Sequence, residues 1–212
     1  MFVKNFMTKD PITVSRKDSI TVTANVMKKH KLKRLPVMDN EQLVGIITEK
    51  DVAKALPSPA TTLSKYEINY LADKITVADV MTTTVITVTP ETTVEEATMI
   101  MHEKDIGCLP VLDNGRLVGI VTETNIYDAL TKLFGLDRPG LRVTVQVKDR
   151  IGVIADISTL IKNLNLTIIS LATYATGADT AALVFRIAVD KPEPVIETLT
   201  ANGYDVIHWT ML

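Results

Sequence analysis

The chain places a hydroxyl and a carboxylate three residues apart at Thr48 and Asp51, and repeats the arrangement with a hydroxyl and an amide at Thr122 and Asn125. Thr-x-x-acid ahead of a helix is a capping box, in which side-chain oxygens accept backbone N–H groups that the first turn leaves unpaired. The same residues can serve a ligand. A helix N-terminus offers its free amides to a phosphate, and a carboxylate one turn in can accept both hydroxyls of a ribose. Asn125 keeps the shape of Asp51 but has one acceptor oxygen and no charge. Losing a charge-assisted hydrogen bond removes about 1.5 to 3 kcal/mol, roughly tenfold to a hundredfold in affinity. On the motif alone, cap and ligand site are both open. The ligand reading makes the first site strong and the second weak or empty.

A second asymmetry separates the same two regions. From Lys28 to Arg34 six of seven side chains are basic, whereas the aligned stretch from His102 to Cys108 contains Glu103 and Asp105 and puts Cys108 in the place of Arg34. A basic run at a helix C-terminus is favoured by the helix dipole and is commonly a solvated face. Lys33 and Arg34, which abut the following strand, could instead hold phosphate. Cys108 has no base beside it in sequence and reads as a small buried apolar group.

These pairs are positioned by a duplicated unit. Sliding the chain against itself by 74 residues aligns Met7 with Met81 and Leu35-Pro36-Val37 with Leu109-Pro110-Val111 without a gap, and 19 of the 50 positions from Met7 to Leu56 are identical. Each copy reads as a short "ITV" strand, a helix, a strand through "LPV", a turn at Asp39-Asn40 or Asp113-Asn114, a return strand through "LVGI", and a closing helix. One copy of about 50 residues buries too little surface to stand alone, so the two are expected to pack together. Between the copies, Ser64 to Glu67 predicts a capped helix start, with Tyr66, Tyr70 and Leu71 as packing residues on one face.

After "LDRPG" the rhythm changes. Leu141, Val143, Val145 and Val147 alternate as one face of a strand; Ile154, Ile157, Leu160, Ile161 and Leu164 recur at helical spacing. "LTIISLATY", "ALVFRIAV" and "YDVIHWTML" read as strands, and Pro194 opens a helix that Gly203 stops. The order β-α-β-β-α-β is the ferredoxin-like arrangement.

Composition limits what such a chain can do. With 212 residues, 46% hydrophobic and 23% charged, it is globular, and a net charge of -2 gives no general attraction to nucleic acid or to anionic membranes. A lone cysteine excludes an internal disulfide and a thiolate zinc cluster. The opening "MFVKNFMTKD" has no apolar core of signal-peptide length, and no stretch approaches 18 apolar residues; a cytoplasmic location is the expectation, with no metal site. No activated nucleophile and no phosphate-binding glycine loop appears, so an enzyme is not expected.

The repeated pattern "MT…ITV", "LPVxD" and "LVGIxTE" resembles a tandem pair of CBS domains, and the C-terminal unit, with "DRIGVIADI" at its first strand-to-helix turn, resembles an ACT domain. The expected fold class is α+β: CBS repeats over 1–62 and 63–135, a linker at 136–140, and the ACT unit over 141–212. The resemblance implies a central cleft with two sites for adenine nucleotides or related adenosyl compounds. It implies that Asp51 accepts the ribose and Thr48 donates on the phosphate side. Ile12, Thr13, Leu35, Pro36 and Ile47 would line the first site, with Lys33 and Arg34 at the phosphate. The counterparts Asn125, Thr122, Ile86, Thr87, Leu109, Pro110 and Val121 would form the weaker second site. It implies AMP, ADP or ATP as ligand, with S-adenosylmethionine or NAD as alternatives, and no covalent cofactor. ACT units often pair and bind amino acids, which would place a site at Asp149, Gly152 and Thr167. Asp149 and Thr167 stand where amino-acid-binding members often carry Asn, which favours a dimerising and relaying role.

A CBS pair followed by an ACT unit without a catalytic domain resembles regulators of acetoin utilisation. The expectation is a homodimeric regulatory protein that acts on a protein partner, in acetoin or acetyl-CoA metabolism. The alternatives are an amino-acid sensor with the CBS pair as scaffold, and a nucleic-acid regulator using the basic run from Lys28 to Arg34.

Overall fold

The computed structural model describes residues 1–55 and 65–212, and of residues 65, 66, 68, 69 and 71 the backbone alone. The expected cap at Ser64 and the expected packing of Tyr66 and Leu71 therefore lie outside the described residues. The chain divides into two units, Met1–Tyr127 and Asp128–Leu212.

In the first unit, strands β1 (Thr8–Lys9) and β2 (Val14–Ser15) precede helix α1 (Ile20–His30), and β3 (Arg34–Asp39) and β4 (Gln42–Thr48) form a hairpin that leads into α2 (Glu49–Ala55). Then follow α3 (Lys65–Lys74), α4 (Val77–Val80), α5 (Val94–Lys104), the hairpin β5 (Cys108–Asp113) and β6 (Arg116–Thr122), and α6 (Glu123–Leu133), within which the chain passes into the second unit. Asn40 and Asn114 turn the two hairpins with φ of 54° and 48°, a conformation Asn tolerates better than most residues. Helices α1 and α5 start and stop as their sequences dictate. Ser19 Oγ accepts the Val22 N–H at the start of α1, and Thr93 and Glu96 form a full capping box on α5. Each ends on a left-handed residue, Lys31 and Asp105.

The packing adds what the repeat does not spell out. The residues leading into each copy belong to the lobe of the other. β1 pairs antiparallel with β6 to give the sheet order β1-β6-β5, while β2 runs parallel to β3 in the sheet β2-β3-β4. The equivalent of β1 ahead of the second copy bridges the first lobe: Ile46 and Thr82 exchange backbone hydrogen bonds of 3.0 and 2.9 Å. Val77 of α4 is fully buried in the first lobe's core with Ile20, Leu35, Val37 and Ile47. These approaches explain the glycine shared by the two "LVGI" strands. Met81 lies over Gly45 and Met7 over Gly119, each where a Cβ would stand. Of the expected packing residues between the copies, Tyr70 is exposed, with the Lys74 ammonium 4.4 Å from its ring centroid.

The second unit is the expected βαββαβ. Strands β7 (Leu141–Lys148), β8 (Thr167–Ala175), β9 (Thr180–Ala188) and β10 (Asp205–Met211) form an antiparallel sheet in the order β10-β7-β9-β8, with helices α7 (Val153–Asn163) and α8 (Glu193–Ala201). Its core joins the alternating residues Leu141, Val143, Val145 and Val147 to Ile157, Ile161, Phe185 and Leu199. On the other face of β9, Arg186 is buried. Its Nη2 donates to the Arg138 carbonyl at 2.5 Å, and Nε and Nη1 have no partner among the described residues.

Candidate functional site

The β3–β4 hairpin sets the site by parity. Its register places Arg34 opposite Thr48, Leu35 opposite Ile47 and Pro36 opposite Ile46. Because side chains alternate along a strand, Arg34, Ile46 and Thr48 share one face, and Leu35 and Ile47 share the other. The second face is core, where Leu35 and Ile47 are fully buried. The first opens on a cavity of about 450 Å³. It is lined also by Thr82, Thr84, Val85 and Ile86, from the segment that crosses from the second copy and bridges Ile46, and by Ile106, Gly107 and Cys108. Lys33, Arg34 and Lys50 bring three cations to this lining, and Glu49 and Asp105 bring two carboxylates. An apolar wall with polar groups converging at one end is the form of a small-molecule site.

At the β4–α2 junction the capping box is formed. Asp51 Oδ2 accepts the Thr48 N–H at 2.9 Å and the Thr48 hydroxyl at 2.7 Å, and the Asp51 N–H donates to Thr48 Oγ at 3.2 Å. In the second copy, Asn125 Oδ1 accepts from the Thr122 N–H and hydroxyl, both at 2.9 Å. The amide thus performs the same local task as the carboxylate. What Asp51 has in addition is charge and a second oxygen, and among the described residues that oxygen takes no hydrogen bond.

Arg34 ties the two lobes together. Its Nη1 donates to the Gly107 carbonyl at 2.7 Å, and its Nη2 pairs with Glu123 Oε2 at 3.0 Å. Cys108, its counterpart in the repeat, lies buried under this pair. Burial pushes the thiol up to about 11; the Arg34 charge lowers it and the Glu123 charge raises it. A thiol at about 11 is ionised at pH 8 to roughly one part in a thousand. Labelling of Cys108 by iodoacetamide in the folded protein is therefore expected to run about a hundredfold slower than in the unfolded chain. Mass spectrometry of timed aliquots reads this, and equal rates would mean an exposed thiolate.

Several expected site residues lie elsewhere. Ile12 and Thr13 are exposed and absent from this cavity, whose corresponding wall is Val85 and Ile86. Ile86, expected in the second site, thus joins Thr48. Thr87 lines a separate hollow with Thr92 and Glu95. Pro36 and Pro110 are buried, and Leu109 and Val121 are fully buried. The sequence reading missed Ile46, Lys50, Gly107 and Glu123. The signal for Ile46 was available, since it and not Ile47 has the parity of Thr48. In the second unit, Asp149 and Gly152 line a groove with Val153, Thr173 and Tyr174. Gly152 precedes α7 with φ of 90°, a conformation that favours glycine. Thr167 sits at the opposite end of β8, paired with Ala188, and does not join them. Among the described residues no cluster of His, Cys, Asp and Glu could hold a metal ion, and no helix is long and apolar enough to cross a membrane.

Comparison with known proteins agrees with this architecture. The CBS domain family matches residues 3–58 and 77–132, and the TTHA0829-like ACT domain family matches residues 139–209. Among solved structures, the chain is similar to a protein assigned to acetoin utilization (AcuB) from Vibrio cholerae, at 28% identity over 65% of this chain and 95% of that one, with a TM-score of 0.54. It is similar to the CBS domain pair of protein MJ0100 in complex with 5'-methylthioadenosine and S-adenosyl-L-methionine, at 34% identity over 65% of this chain and 98% of that one, TM-score 0.51. It is also similar to CBSX2 in complex with AMP, at 28% identity over 62% of this chain and 97% of that one, TM-score 0.53. Curated enzymes match at 34 to 36% identity, and the chain spans about a quarter of their length. The chain belongs to the CBS-domain family, and carries a pair of CBS domains followed by an ACT domain.

Proposed function

We propose that the protein is a non-catalytic regulator that senses an adenine nucleotide, AMP, ADP or ATP, in the cleft at Thr48. The observation that carries this reading is the junction of an apolar wall, Ile46 with Val85 and Ile86, and a polar end where Lys33, Arg34 and Lys50 meet the start of α2. The wall suits a base and the cations with the helix N-terminus suit phosphate, while Asp51, next in sequence to the lining residue Lys50 but not itself on the lining, is the ribose acceptor in this reading. Adenosyl ligands on two similar CBS pairs support the ligand class. The second site, with Asn125 for Asp51 and Cys108 for Arg34, is the weak one. The protein works in the cytoplasm as a homodimer through its ACT unit. Its similarity to AcuB points to a protein partner in acetoin utilisation.

Nucleotide shifts the population between arrangements of the two lobes only as far as it binds one better than the other. A thermal-shift series with AMP, ADP, ATP, S-adenosylmethionine, NAD and the amino acids tests the reading. An adenine nucleotide at a hundred times its dissociation constant is expected to add about 2.7 kcal/mol. Stabilisation by an amino acid and by none of the adenosyl compounds would instead assign sensing to the groove at Asp149 and Gly152.

A further inference from the structure

Among the described residues Arg34 is the one guanidinium lining the cleft, and it is already engaged. Its two terminal nitrogens are held by the Gly107 carbonyl and by Glu123, so a ligand phosphate reaches a cation that has a carboxylate on it. The pair is built into the backbone around it. A Cβ at position 107 would fall on the Arg34 guanidinium and on the Glu123 carboxylate, so the absence of a side chain at Gly107 is what makes room for both. Glu123 is the first residue of α6, where the helix dipole favours an acid, and its own N–H donates to the Gly107 carbonyl. The aligned positions of the first copy cannot make the reciprocal tie, because Glu49 would have to meet Cys108.

We infer that Glu123 is a resident competitor for the ligand's phosphate, and that a nucleotide binds by taking Arg34 from it. This rests on the nucleotide reading of the cleft. The exchange is feasible because the pair is partly open to water, with side-chain exposures of 29% for Arg34 and 53% for Glu123, so solvent screens it. A phosphate monoester brings nearly two charges and three acceptor oxygens to the fork of Arg34, where Glu123 brings one charge and a single hydrogen bond. Two consequences follow. Phosphate adds less to affinity than Lys33, Arg34 and Lys50 alone would give, because part of its interaction replaces an existing one. An adenosyl ligand without phosphate leaves the tie between lobes intact, whereas a nucleotide severs it, so the two classes produce different liganded states.

Isothermal titration of the full chain with AMP and with adenosine separates these claims. Glu123→Gln, close in shape and without charge, is expected to raise affinity for AMP about tenfold and to leave adenosine within about twofold. Arg34→Gln is expected to weaken AMP about tenfold, narrowing its advantage over adenosine while Lys33 and Lys50 keep part of it, and adding Glu123→Gln to that variant is expected to change little. An unchanged AMP affinity in Glu123→Gln, or an equal gain for both ligands, would overturn the competition. If the wild type binds adenosine and AMP equally and Arg34→Gln alters neither, Arg34 takes no phosphate and the inference fails while the cleft reading stands. If neither ligand binds any of the proteins, the nucleotide reading itself fails and takes this inference with it.

Discussion

Asp51→Asn is expected to weaken AMP binding by roughly ten- to a hundredfold while leaving the melting temperature of the ligand-free protein nearly unchanged. The protein supplies the control for the second half of that statement. Asn125 already makes both cap hydrogen bonds at 2.9 Å, so an amide at position 51 can hold the start of α2 as the carboxylate does at 2.9 and 2.7 Å. What it cannot supply is the second acceptor oxygen and the charge that strengthens a bond to each ribose hydroxyl. Asp51→Ala loses the cap as well, about 1 kcal/mol, and mixes the two effects. Titration calorimetry with AMP, beside a melting curve without ligand, reads them separately. Undiminished binding by the Asn variant would reduce Asp51 to a helix cap.

The residues that proved legible in the sequence are those whose signal is local. The cap of Thr48 with Asp51, its counterpart of Thr122 with Asn125, and the Asn residues of both hairpins act where their types predict, because capping and turning depend on neighbours within four positions. The alternation of Leu141 to Val147 identified the second unit's core face directly. The exchange of leading segments was not legible. β1 has two residues, and the bridge of Thr82 to Ile46 is a single pair, so neither leaves a periodic pattern to read. For the same reason Ile12 and Thr13 were assigned to the site of their own copy, although the cleft at Thr48 takes Val85 and Ile86 from the other. Leu35 and Ile47 were a different case. The resemblance placed them in the site, but counting by twos from Thr48 reaches Ile46 and sends both to the core. Glu123 was outside reach because its partner Arg34 lies 89 residues away, and a half-exposed acid at a helix start is fully explained by the helix itself.

Phe185→Ala is the sharpest test that sensing resides in the first unit. Phe185 is fully buried in β9, an inner strand, where its register partners are Val143 of β7 and Leu171 of β8. Truncating a buried Phe removes its transfer energy and leaves a cavity, about 3 to 5 kcal/mol in all. In a domain of this size that lowers the melting temperature by about 15 °C or more. The cluster around Phe185 draws every member from the second unit, and the cluster around Leu35 and Ile47 draws every member from the first. Calorimetry is therefore expected to show an early transition for the ACT unit and a second one near its wild-type position. At a temperature between the two, AMP affinity is expected to stay within about threefold of wild type, since none of the cleft residues belongs to the damaged core. Loss of AMP binding along with the first transition would mean that the cleft depends on the ACT unit for its form, and the sensor would then be the whole chain rather than the CBS pair.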